Sequence, residues 1–462
     1  MTNPSTELGT LLPEMKVTPP GPKSRQLAEM SRQYESATGT QIATGNIPAF
    51  WDIAQGANIV DVDGNRYVDL TAGFTVALAG HSNPRIVAAI AEQAARMLHS
   101  QGAANPNPLR PQLAARLAEI APGKLSVSHI ANTGAEAIEV ALKVARLYTG
   151  RPNVIAFHGG FHGKTIGALS VTSQNYYREP FLSSLSAGVT HLPYAYCYRC
   201  AFDKTYPDCQ VFCADYVRRV IEFPDGGVAG VAAIILEPIQ GHGGWIDPPA
   251  EFIPKLRQIC DDHGILLISD EVITGFGRTG RWFGIEHYNV VPDIIACGKG
   301  LASGFPISAM ITTPEISSKW KPLQHTSTFL GNPVGCAASL ASLAEIEERQ
   351  LVQRSAELGE RFRRRLLDMQ ARHPLIGDVR GKGSMMGLEL VKDRKTKEPA
   401  SKEGAEVVRR ALTKGVMATN YGGTYHNVIK MAPPLVITDQ QLDVALDLLE
   451  ESLAEVESEM GL

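Results

Sequence analysis

Short apolar runs alternate with amphipathic stretches between residues 79 and 334, and no other feature of the chain constrains its fold as strongly. The runs read SVSHIAN, NVIAF, GVAAIILEP, GILLISDE and PDIIACGKG, and helix-like segments and short turns separate them. This alternation is typical of a mostly parallel β-sheet covered by helices. We therefore predict a large α/β domain for this part of the chain.

The N-terminal end has a different pattern. Residues 57–70 predict a β-hairpin, because two alternating apolar runs flank Asp63, Gly64 and Asn65, which are residue types that tolerate positive φ. The preceding N-terminal stretch begins with a segment rich in Pro, Ser and Thr. We expect this segment to form a surface arm that drapes over a partner subunit.

Longer charged segments replace the apolar runs beyond residue 335. They predict long helices, such as one over residues 337–371, and short strands around 387–391 and 427–431. A last helix is predicted from about residue 439, with an apolar stripe at helical spacing formed by Leu442, Leu446, Leu449, Leu453 and Val456. We predict three segments, namely an N-terminal arm and small-domain segment (1–78), a large domain (79–335) and a C-terminal part of a smaller α+β domain (336–462).

Composition excludes several classes of protein. The 462 residues carry 44 Lys+Arg against 48 Asp+Glu, a net charge of −4, which argues against a nucleic-acid binder with a basic face. The longest run of apolar residues and glycine, 228–236, is far shorter than the ~20 residues of a membrane-spanning helix. Seven cysteines and no visible signal peptide favour the reducing cytosol. We expect a cytoplasmic protein with neither nucleic acid nor membrane as partner.

Two glycine-rich motifs point weakly to nucleotide sites. Residues 158–165, HGGFHGKT, differ from a P-loop by His158 in place of the first glycine, and a side chain there obstructs the backbone cradle. Gly275, Gly277 and Gly280 match G-x-G-x-x-G, but no convincing helix start follows them, nor does a strand ending in Asp or Glu about 20 residues on. We interpret both motifs as loops.

Four cysteines lie close together in sequence. Cys197, Cys200, Cys209 and Cys213 have the spacing C-x2-C-x8-C-x3-C, which is compatible with a four-thiolate zinc or iron–sulfur site. We favour free thiols on a surface excursion and assign no metal to the functional site. A metal held there would be structural, because a fully thiolate-capped ion has no open position for chemistry.

An acid and an amine end two of the apolar runs. Asp270 follows ILLIS, and Lys299 follows DIIACG 29 residues later. Each alone is an ordinary strand terminus or salt-bridge partner, but in an open α/β sheet the C-terminal strand ends converge on the ligand crevice. Pyridoxal 5'-phosphate requires both groups, because a lysine forms a Schiff base with its aldehyde and a carboxylate keeps its ring nitrogen protonated.

A turn suited to a phosphate group lies earlier in the chain. Residues 130–137, IANTGAEA, predict a strand, a small-residue turn and a helix start, so that backbone N–H groups and the helix dipole face an anion. Gly134 and Ala135 have little or no side chain to block its approach. An ordinary helix cap explains the turn taken alone, but the lysine and the aspartate together favour the phosphate site.

These motifs resemble a known family. NTGAEA, GGFHGKT, EPIQGHGG, SDEVITGFGRTG, GKGLASGFP and STFLGNP, in this order, are similar to motifs of class III aminotransferases of pyridoxal-phosphate fold type I. The similarity extends from WDIAQGANIVDVDGNRYVDL to KMAPPLVIT, nearly the whole chain. It implies a homodimer, or a dimer of dimers, with active sites at the subunit interface.

The resemblance also implies roles for single residues. Lys299 would hold the cofactor aldehyde and then move a proton between the substrate Cα and the cofactor C4′, and Asp270 would salt-bridge the ring nitrogen. Lys299 must be partly neutral to act as a base, so burial is expected to lower its pKa. The other implied cofactor contacts are Val272 and Phe161 on opposite ring faces, His162 beside Phe161, Gly134 and Ala135 at the phosphate, Thr328 of the neighbouring subunit at the phosphate, and Glu237 on the phenolic oxygen side.

Departures from the family pattern bear on the substrate. Two arginines that grip substrate carboxylates in the family are Lys164 and Lys430 here, and the glutamate that pairs with the second is His242. Lysine lacks the planar fork of arginine, so carboxylate recognition should be weaker or reshaped. Ile273 stands where a glutamine is common, as in the branch that uses amines with pyruvate, and Phe74 either narrows the substrate entrance or is a core aromatic.

We predict an aminotransferase that moves an amino group from a 4-aminobutyrate-like ω-amino acid, or an amine, to an α-keto acid such as pyruvate or 2-oxoglutarate. An amino-acid racemase or epimerase of the same family is the alternative, since residues 372–399 also look like theirs. A non-catalytic metal-binding protein would need the cysteines as its main site and Lys299 to be incidental.

Overall fold

The computed structural model describes residues 8–39 and 41–462. The strands are β1 (Trp51–Gln55), β2 (Asn58–Asp61), β3 (Arg66–Asp69), β4 (Val127–Ala131), β5 (Asn153–Phe157), β6 (Val189–Leu192), β7 (Val231–Leu236), β8 (Leu266–Glu271), β9 (Ile294–Cys297), β10 (Ser308–Thr312), β11 (Ile376–Lys382), β12 (Met385–Asp393), β13 (Glu398–Pro399), β14 (Val416–Met417) and β15 (Val428–Met431). The helices are α1 (Pro22–Tyr34), α2 (Ala72–Thr75), α3 (Pro84–Arg96), α4 (Leu109–Ile120), α5 (Gly134–Thr149), α6 (Ile166–Val171), α7 (Asn175–Arg178), α8 (Phe212–Glu222), α9 (Phe252–His263), α10 (Pro314–Ser317), α11 (Pro333–Glu348), α12 (Leu351–Arg372), α13 (Ser401–Thr413) and α14 (Asp439–Met460).

The central sheet has the strand order β4-β10-β9-β8-β7-β5-β6. Strands β9, β8, β7, β5 and β6 pair in parallel, whereas β10 is antiparallel to both of its neighbours. Each of the five apolar runs contains one of these strands, as predicted. Strands β6 and β10 are additional to the predicted ones. The connection from β9 to β10 contains only one short 3₁₀ turn, too little chain for a parallel crossover, so β10 runs antiparallel.

The core of the large domain lies on both faces of this sheet. All six residues of β7 are buried, which is why its sequence is continuously apolar instead of alternating. Helix α5 buries Ile138, Val140, Ala141 and Val144 against the same sheet. The strand ends are thereby fixed between two packed layers, and the site residues follow directly from those ends.

Two smaller sheets complete the fold. One has the order β1-β2-β3-β14, and the other has the order β11-β12-β13 with β15 paired to β12. The predicted hairpin is β2–β3, antiparallel, with Gly64 in its turn at a φ of 88°. The predicted strands near 387–391 and 427–431 lie in β12 and β15. The fold is α/β with a large, mostly parallel sheet and a smaller α+β domain, while the boundaries at residues 78 and 335 stay a prediction.

The described part of the N-terminal arm contacts its own chain. The Leu11 backbone N–H donates to Asn58 Oδ1 at 3.0 Å, and Gln441 Nε2 donates to the Leu11 carbonyl at 3.0 Å. Glu14 forms an isolated bridge with Arg66 of β3. Residues 1–7 lie outside the described residues, and contact with a partner subunit stays a prediction.

The charged segment 337–371 differs from the prediction because it is divided between two helices, α11 and α12. Gln350 separates them with a φ of 52°, a left-handed conformation that does not continue an α-helix. The last helix begins at Asp439 as predicted, capped by Thr438, and its five-residue apolar stripe is buried. No helix in the described residues is long and apolar enough to cross a lipid bilayer.

Adjacent leucines on α12 test the packing of this domain. Leu366 is fully buried in the core, whereas Leu367 is 44% exposed. We expect Leu366→Ala to lower the free energy of unfolding by about 2–5 kcal/mol, because it removes buried methyl groups and leaves a cavity. Leu367→Ala is the matched control and should change it by less than about 1 kcal/mol. Urea denaturation measures both, and equal losses would contradict this placement of the helix.

Candidate active site

Asp270 and Lys299 end adjacent parallel strands of the central sheet. Asp270 lies opposite Ala296 in the β8–β9 register, and Lys299 follows Cys297, the last residue of β9, by two positions. Lys299 adopts a φ of 40°, a strained left-handed conformation of the kind found at functional sites. The structure thus brings the predicted acid and amine to the same edge of the sheet.

The Lys299 side chain carries an amine with no hydrogen bond or salt bridge to the described residues. Burial lowers its pKa, although the nearby charges of Asp270 and Glu237 oppose this shift. A lowered pKa increases the neutral fraction of the amine near pH 7, and the neutral amine is the form that attacks a carbonyl or accepts a proton.

The Asp270 carboxylate is held by two partners. His162 Nδ1 lies 2.7 Å from Asp270 Oδ2, and the Val272 backbone N–H donates to Oδ1 at 3.0 Å. Burial disfavours the imidazolium form of His162, but the hydrogen bond and charge of Asp270 outweigh it and raise the pKa of His162. The carboxylate is therefore fixed in orientation inside the protein, as a group that must hold a protonated ring nitrogen requires.

Glu237 connects two loops beside this pair. Its Oε1 accepts from the Phe161 N–H at 3.0 Å, and its Oε2 accepts from the Gly241 N–H at 2.8 Å. Burial and the charge of Asp270 raise the pKa of Glu237, and His162 opposes them. Glu237 thus positions the loop that carries Phe161. Its contact with the cofactor stays a prediction.

The predicted phosphate turn lies at the start of α5. Thr133 caps the helix by accepting from the Glu136 N–H at 3.2 Å, while the N–H groups of Gly134 and Ala135 have no partner among the described residues. A Cβ at Gly134 would lie 2.9 Å from Val272 Cγ1, so only glycine fits. Free donors at a helix N-terminus beside a close-packed glycine fit the phosphate of pyridoxal 5'-phosphate.

The other predicted cofactor contacts differ in how close they lie to the cavity beside Lys299. Val272 lies beside both Gly134 and Gly298, and Phe161 lines the cavity that contains Lys299. Thr328 is exposed and does not line that cavity. Its role therefore depends on a neighbouring subunit and stays a prediction.

The cavity beside Lys299 has a volume of about 310 Å³. Its aromatic lining residues are Phe74, Phe161, Tyr177, His242, Trp245 and Tyr421. Phe74, predicted at the substrate entrance, is 60% exposed and lies on α2, whose four residues all have positive φ (49°, 57°, 60° and 69°). The walls thus suit an apolar portion of a substrate.

Lys430 places one buried cation in this cavity. Its side chain is 7% exposed, and its Nζ lies 5.1 Å from the centroid of the Trp245 ring. Burial and the charge of Lys299 lower the pKa of Lys430 to about 8, and it forms no ion pair with the described residues. An unpaired buried ammonium is a natural partner for a substrate carboxylate.

Two of the lining residues, Tyr177 and Tyr421, carried no signal in the sequence analysis. Tyr177 and Tyr421 are 244 positions apart, yet their hydroxyl oxygens are 2.7 Å apart, and His242 Nε2 lies 3.3 Å from the Tyr177 hydroxyl. His242 stacks on Phe161 with ring centroids 5.3 Å apart. Burial and the charge of Lys430 lower the pKa of His242 to about 4, so it does not replace the charge of the family's glutamate.

The two glycine-rich motifs lie in loops, as interpreted. HGGFHGKT connects β5 with α6 and places Phe161 in the cavity, while Lys164 is exposed with its Nζ 4.1 Å from the Tyr177 ring centroid. GFGRTG packs Gly277 and Gly280 against α12. Arg278 between them is fully buried and donates to the Ala432 carbonyl at 3.3 Å, so it supports the wall of the cavity from behind.

The four clustered cysteines are free thiols around a separate cavity of about 20 Å³. Burial raises the pKa of Cys197 to about 11 and that of Cys213 to about 12. Among the residues that the structure describes, no three His, Cys, Asp or Glu side chains are arranged to hold a metal ion. Their geometry therefore adds no support to the zinc or iron–sulfur interpretation.

Comparisons with known proteins agree with this geometry. The family model described as Aminotransferase class-III matches residues 41–453. The leucine/methionine racemase of Thermococcus litoralis is 41% identical over 404 residues, 87% of this chain and 90% of that protein. The 5-aminovalerate aminotransferase of Pseudomonas putida is 37% identical over 435 residues, 92% of this chain and 100% of that protein.

Solved structures give the same result. An amine transaminase from an uncultivated Pseudomonas species, determined with pyridoxal phosphate bound, superposes with a TM-score of 0.85 at 31% identity, over 92% of this chain and 99% of that one. The resemblance read from the motifs is thereby confirmed, and so are the fold and the cofactor it implied. The chain belongs to the class III aminotransferases, the pyridoxal-phosphate-dependent transaminase family of fold type I.

Proposed function

We propose that this enzyme transfers an amino group from a 4-aminobutyrate-like ω-amino acid, or a simple amine, to an α-keto acid such as pyruvate or 2-oxoglutarate. The observation that carries the proposal is a single cavity that contains the unpaired amine of Lys299 and one buried ammonium, Lys430, between aromatic walls. Bound there, pyridoxal phosphate supplies an electrophilic aldehyde and an electron sink for the bond broken at the substrate carbon.

The residues of the chain divide the work around that group. Lys299, made less basic by burial, binds the aldehyde and afterwards moves the proton at the substrate carbon. Asp270, fixed by His162, holds the proton on the ring nitrogen. Gly134 and Ala135 donate their free N–H groups to the phosphate.

Substrate selection follows from the same cavity. Lys430 binds one carboxylate, and the aromatic walls take up the methylene chain or ring of the donor. Lys164 lines the exposed side of the cavity, with its Nζ over the Tyr177 ring, and it lacks the planar fork of arginine, so a second carboxylate is gripped less firmly. The 5-aminovalerate aminotransferase among the relatives supports a donor with a single carboxylate.

We also propose that the enzyme is a cytoplasmic homodimer, or a dimer of dimers, in which Thr328 of one chain completes the phosphate site of the other. Thr328 lies on an exposed segment with two large apolar neighbours, Leu323 at 75% and Phe329 at 60% exposure. Exposed apolar side chains clustered beside a polar contact residue are typical of a protein interface.

Racemisation or epimerisation of apolar α-amino acids is the second candidate. The 41% identical relative is named a leucine/methionine racemase, and the aromatic cavity suits such side chains. Both reactions use an amine at the position of Lys299, so the cofactor environment alone does not separate them.

One experiment separates the two candidates. Purified enzyme loaded with cofactor receives a single amino donor and no keto acid, and its visible spectrum is followed. Loss of the aldehyde form of the cofactor with 4-aminobutyrate, 5-aminovalerate or an amine, reversed by pyruvate, is the expected result. A spectrum that persists while L-leucine loses its optical rotation would assign racemisation, and no response to any donor would overturn both candidates.

Lys430 gives a pH-dependent test of carboxylate binding. We expect Lys430→Met to raise the KM for 5-aminovalerate about tenfold or more, because a buried charge-assisted contact is lost. In the unmodified enzyme the same KM should rise as the pH passes about 8, since the ammonium form of Lys430 exists below its pKa and is lost above it. Steady-state kinetics at several pH values measures both effects.

An amine donor without a carboxylate is the control for this prediction. Its KM should respond neither to Lys430→Met nor, through Lys430, to pH. If 5-aminovalerate and the amine respond equally, Lys430 is not the carboxylate partner.

A further inference from the structure

A second cavity, of about 720 Å³, lies outside the active site and is lined mainly by residues of the segment 193–205. We call it the Arg199 cleft. Its remaining walls come from the loops of Gly159 and Gln240 and from two stretches that contain Lys397 and Tyr425. It is more than twice as large as the cavity beside Lys299.

The Arg199 cleft has an excess of positive charge. Arg199, Lys204 and Lys397 line it, against a single carboxylate from Asp203. Neither lysine forms a salt bridge with the described residues: the Lys397 Nζ donates to the Tyr198 carbonyl at 2.7 Å, and the Lys204 Nζ lies over the Phe212 ring. Their charges are therefore available to a ligand.

Arg199 is fixed in place by an ion pair and by two aromatic rings. Its Nε donates to Glu389 Oε1 at 2.5 Å, and the same buried carboxylate also accepts from Arg380 Nη1 at 2.6 Å. The Arg199 guanidinium carbon lies 5.5 Å and 5.1 Å from the ring centroids of Tyr198 and Tyr425. Arg380 also pairs with Asp378, whose Oδ2 lies 2.7 Å from Arg380 Nη1, so two carboxylates serve the two guanidinium groups and Arg199 is held in a defined orientation.

One N–H donor group of Arg199 has no hydrogen-bond partner among the described residues. This group, at Nη2, is buried. An unpaired buried N–H is energetically unfavourable and gains most from an ionised acceptor.

The loops around the Arg199 cleft also shape the active site. Gly159 and Gln240 line the cleft, and Phe161 and His242 follow them by two residues each and line the active-site cavity. Gln240 Nε2 donates to the His158 carbonyl at 2.9 Å, which ties the two loops together. An occupant of the cleft would therefore rest against the back of these loops.

We propose that the Arg199 cleft binds a small, multiply charged anion that carries phosphate or carboxylate groups. Lys204 and Lys397 provide the unpaired charge, and the fixed guanidinium of Arg199 lies in the same lining. This site is separate from the cofactor phosphate turn and from the carboxylate partner Lys430, and it does not depend on which amino donor the enzyme uses.

Titration calorimetry on the cofactor-loaded enzyme tests the proposal. Pyrophosphate and citrate serve as probes, since neither is an amino donor nor a keto acid and the bound cofactor occupies the phosphate turn. We expect one saturable site per chain, weakened about tenfold or more in the double variant Lys204→Met with Lys397→Met and weakened further by added salt. Both substitutions are on partly or fully exposed side chains without ion pairs, so the variant should fold.

Lys402→Met removes an exposed lysine outside the cleft and is the matched control, which should bind as the unmodified enzyme does. Binding of pyrophosphate alone would identify a phosphate ligand, and binding of citrate as well would extend the site to polycarboxylates. Absence of saturable binding, or equal affinities in the double variant and the control, would overturn the proposal. Neither result depends on transamination, so failure here leaves the proposed reaction untouched.

Discussion

Replacing Lys299 with alanine should reduce turnover by about 10⁴-fold or more, because the chain loses both the amine that binds the cofactor aldehyde and the base at the substrate carbon. Cofactor binding should persist without a covalent bond, since Asp270, His162 and the N–H groups of Gly134 and Ala135 remain. Borohydride reduction followed by mass spectrometry measures the bond directly. The unmodified enzyme should retain the mass of the reduced cofactor, and the Lys299→Ala variant should not.

The cavity offers matched controls for this experiment. Lys164 and Lys430 also line it, so Lys164→Ala and Lys430→Met test whether any nearby amine can take the same role. Both variants should keep the covalent cofactor after reduction. Near-normal turnover in Lys299→Ala, or covalent cofactor on another lysine of the unmodified enzyme, would contradict the role assigned to Lys299.

The parts of this fold that the sequence predicts correctly are those with local causes. The buried strand β7 and the first half of β8 are continuously apolar because helices cover both faces of the sheet, and this composition is visible without a structure. The positions of Asp270 and Lys299 follow from the same runs, since each residue lies at or just after the end of one. The turn at Gly134 likewise has a local signal, a strand followed by small residues and a helix start.

The features that were not predicted have causes that residue types do not display. The segment 337–371 is divided into two helices because Gln350 adopts a left-handed conformation, which its residue type does not predict. The strand β10 runs antiparallel because of the length of its connection, and its composition alone does not indicate direction. The contact between Tyr177 and Tyr421 joins residues 244 positions apart, so no window of sequence contains it.

The burial of a side chain is also not visible in the sequence. Lys430 was predicted as a substrate contact from its position in a motif, but its pKa of about 8 depends on the desolvation produced by the packed cavity and on Lys299. The Arg199 cleft was likewise not predicted, because its cations and aromatic rings come from segments that are far apart in the sequence. Motifs thus predict which residues act, whereas packing determines their charge.

Replacing Asp270 with asparagine should lower turnover by about 10³-fold or more while preserving the shape of the site. The amide has the volume of the carboxylate but no negative charge, so it does not hold a proton on the ring nitrogen, and the electron sink is lost. The variant should still form the covalent bond with Lys299, because that step uses the aldehyde. Single-turnover spectra with an amino donor would show the loss in the step that breaks the bond at the substrate carbon.

His162 separates the charge of Asp270 from its orientation. His162 Nδ1 lies 2.7 Å from the carboxylate, and both side chains are almost fully buried, at 4% exposure each. His162→Asn keeps a hydrogen-bond donor near Oδ2 and leaves the charge of Asp270 intact, so its turnover should fall by about tenfold, far less than in Asp270→Asn. Equal losses in the two variants would mean that the pair acts by position alone, and wild-type turnover in Asp270→Asn would remove Asp270 from the mechanism. The expected ordering follows from the structure, because His162 reaches the reacting group only through the carboxylate it orients.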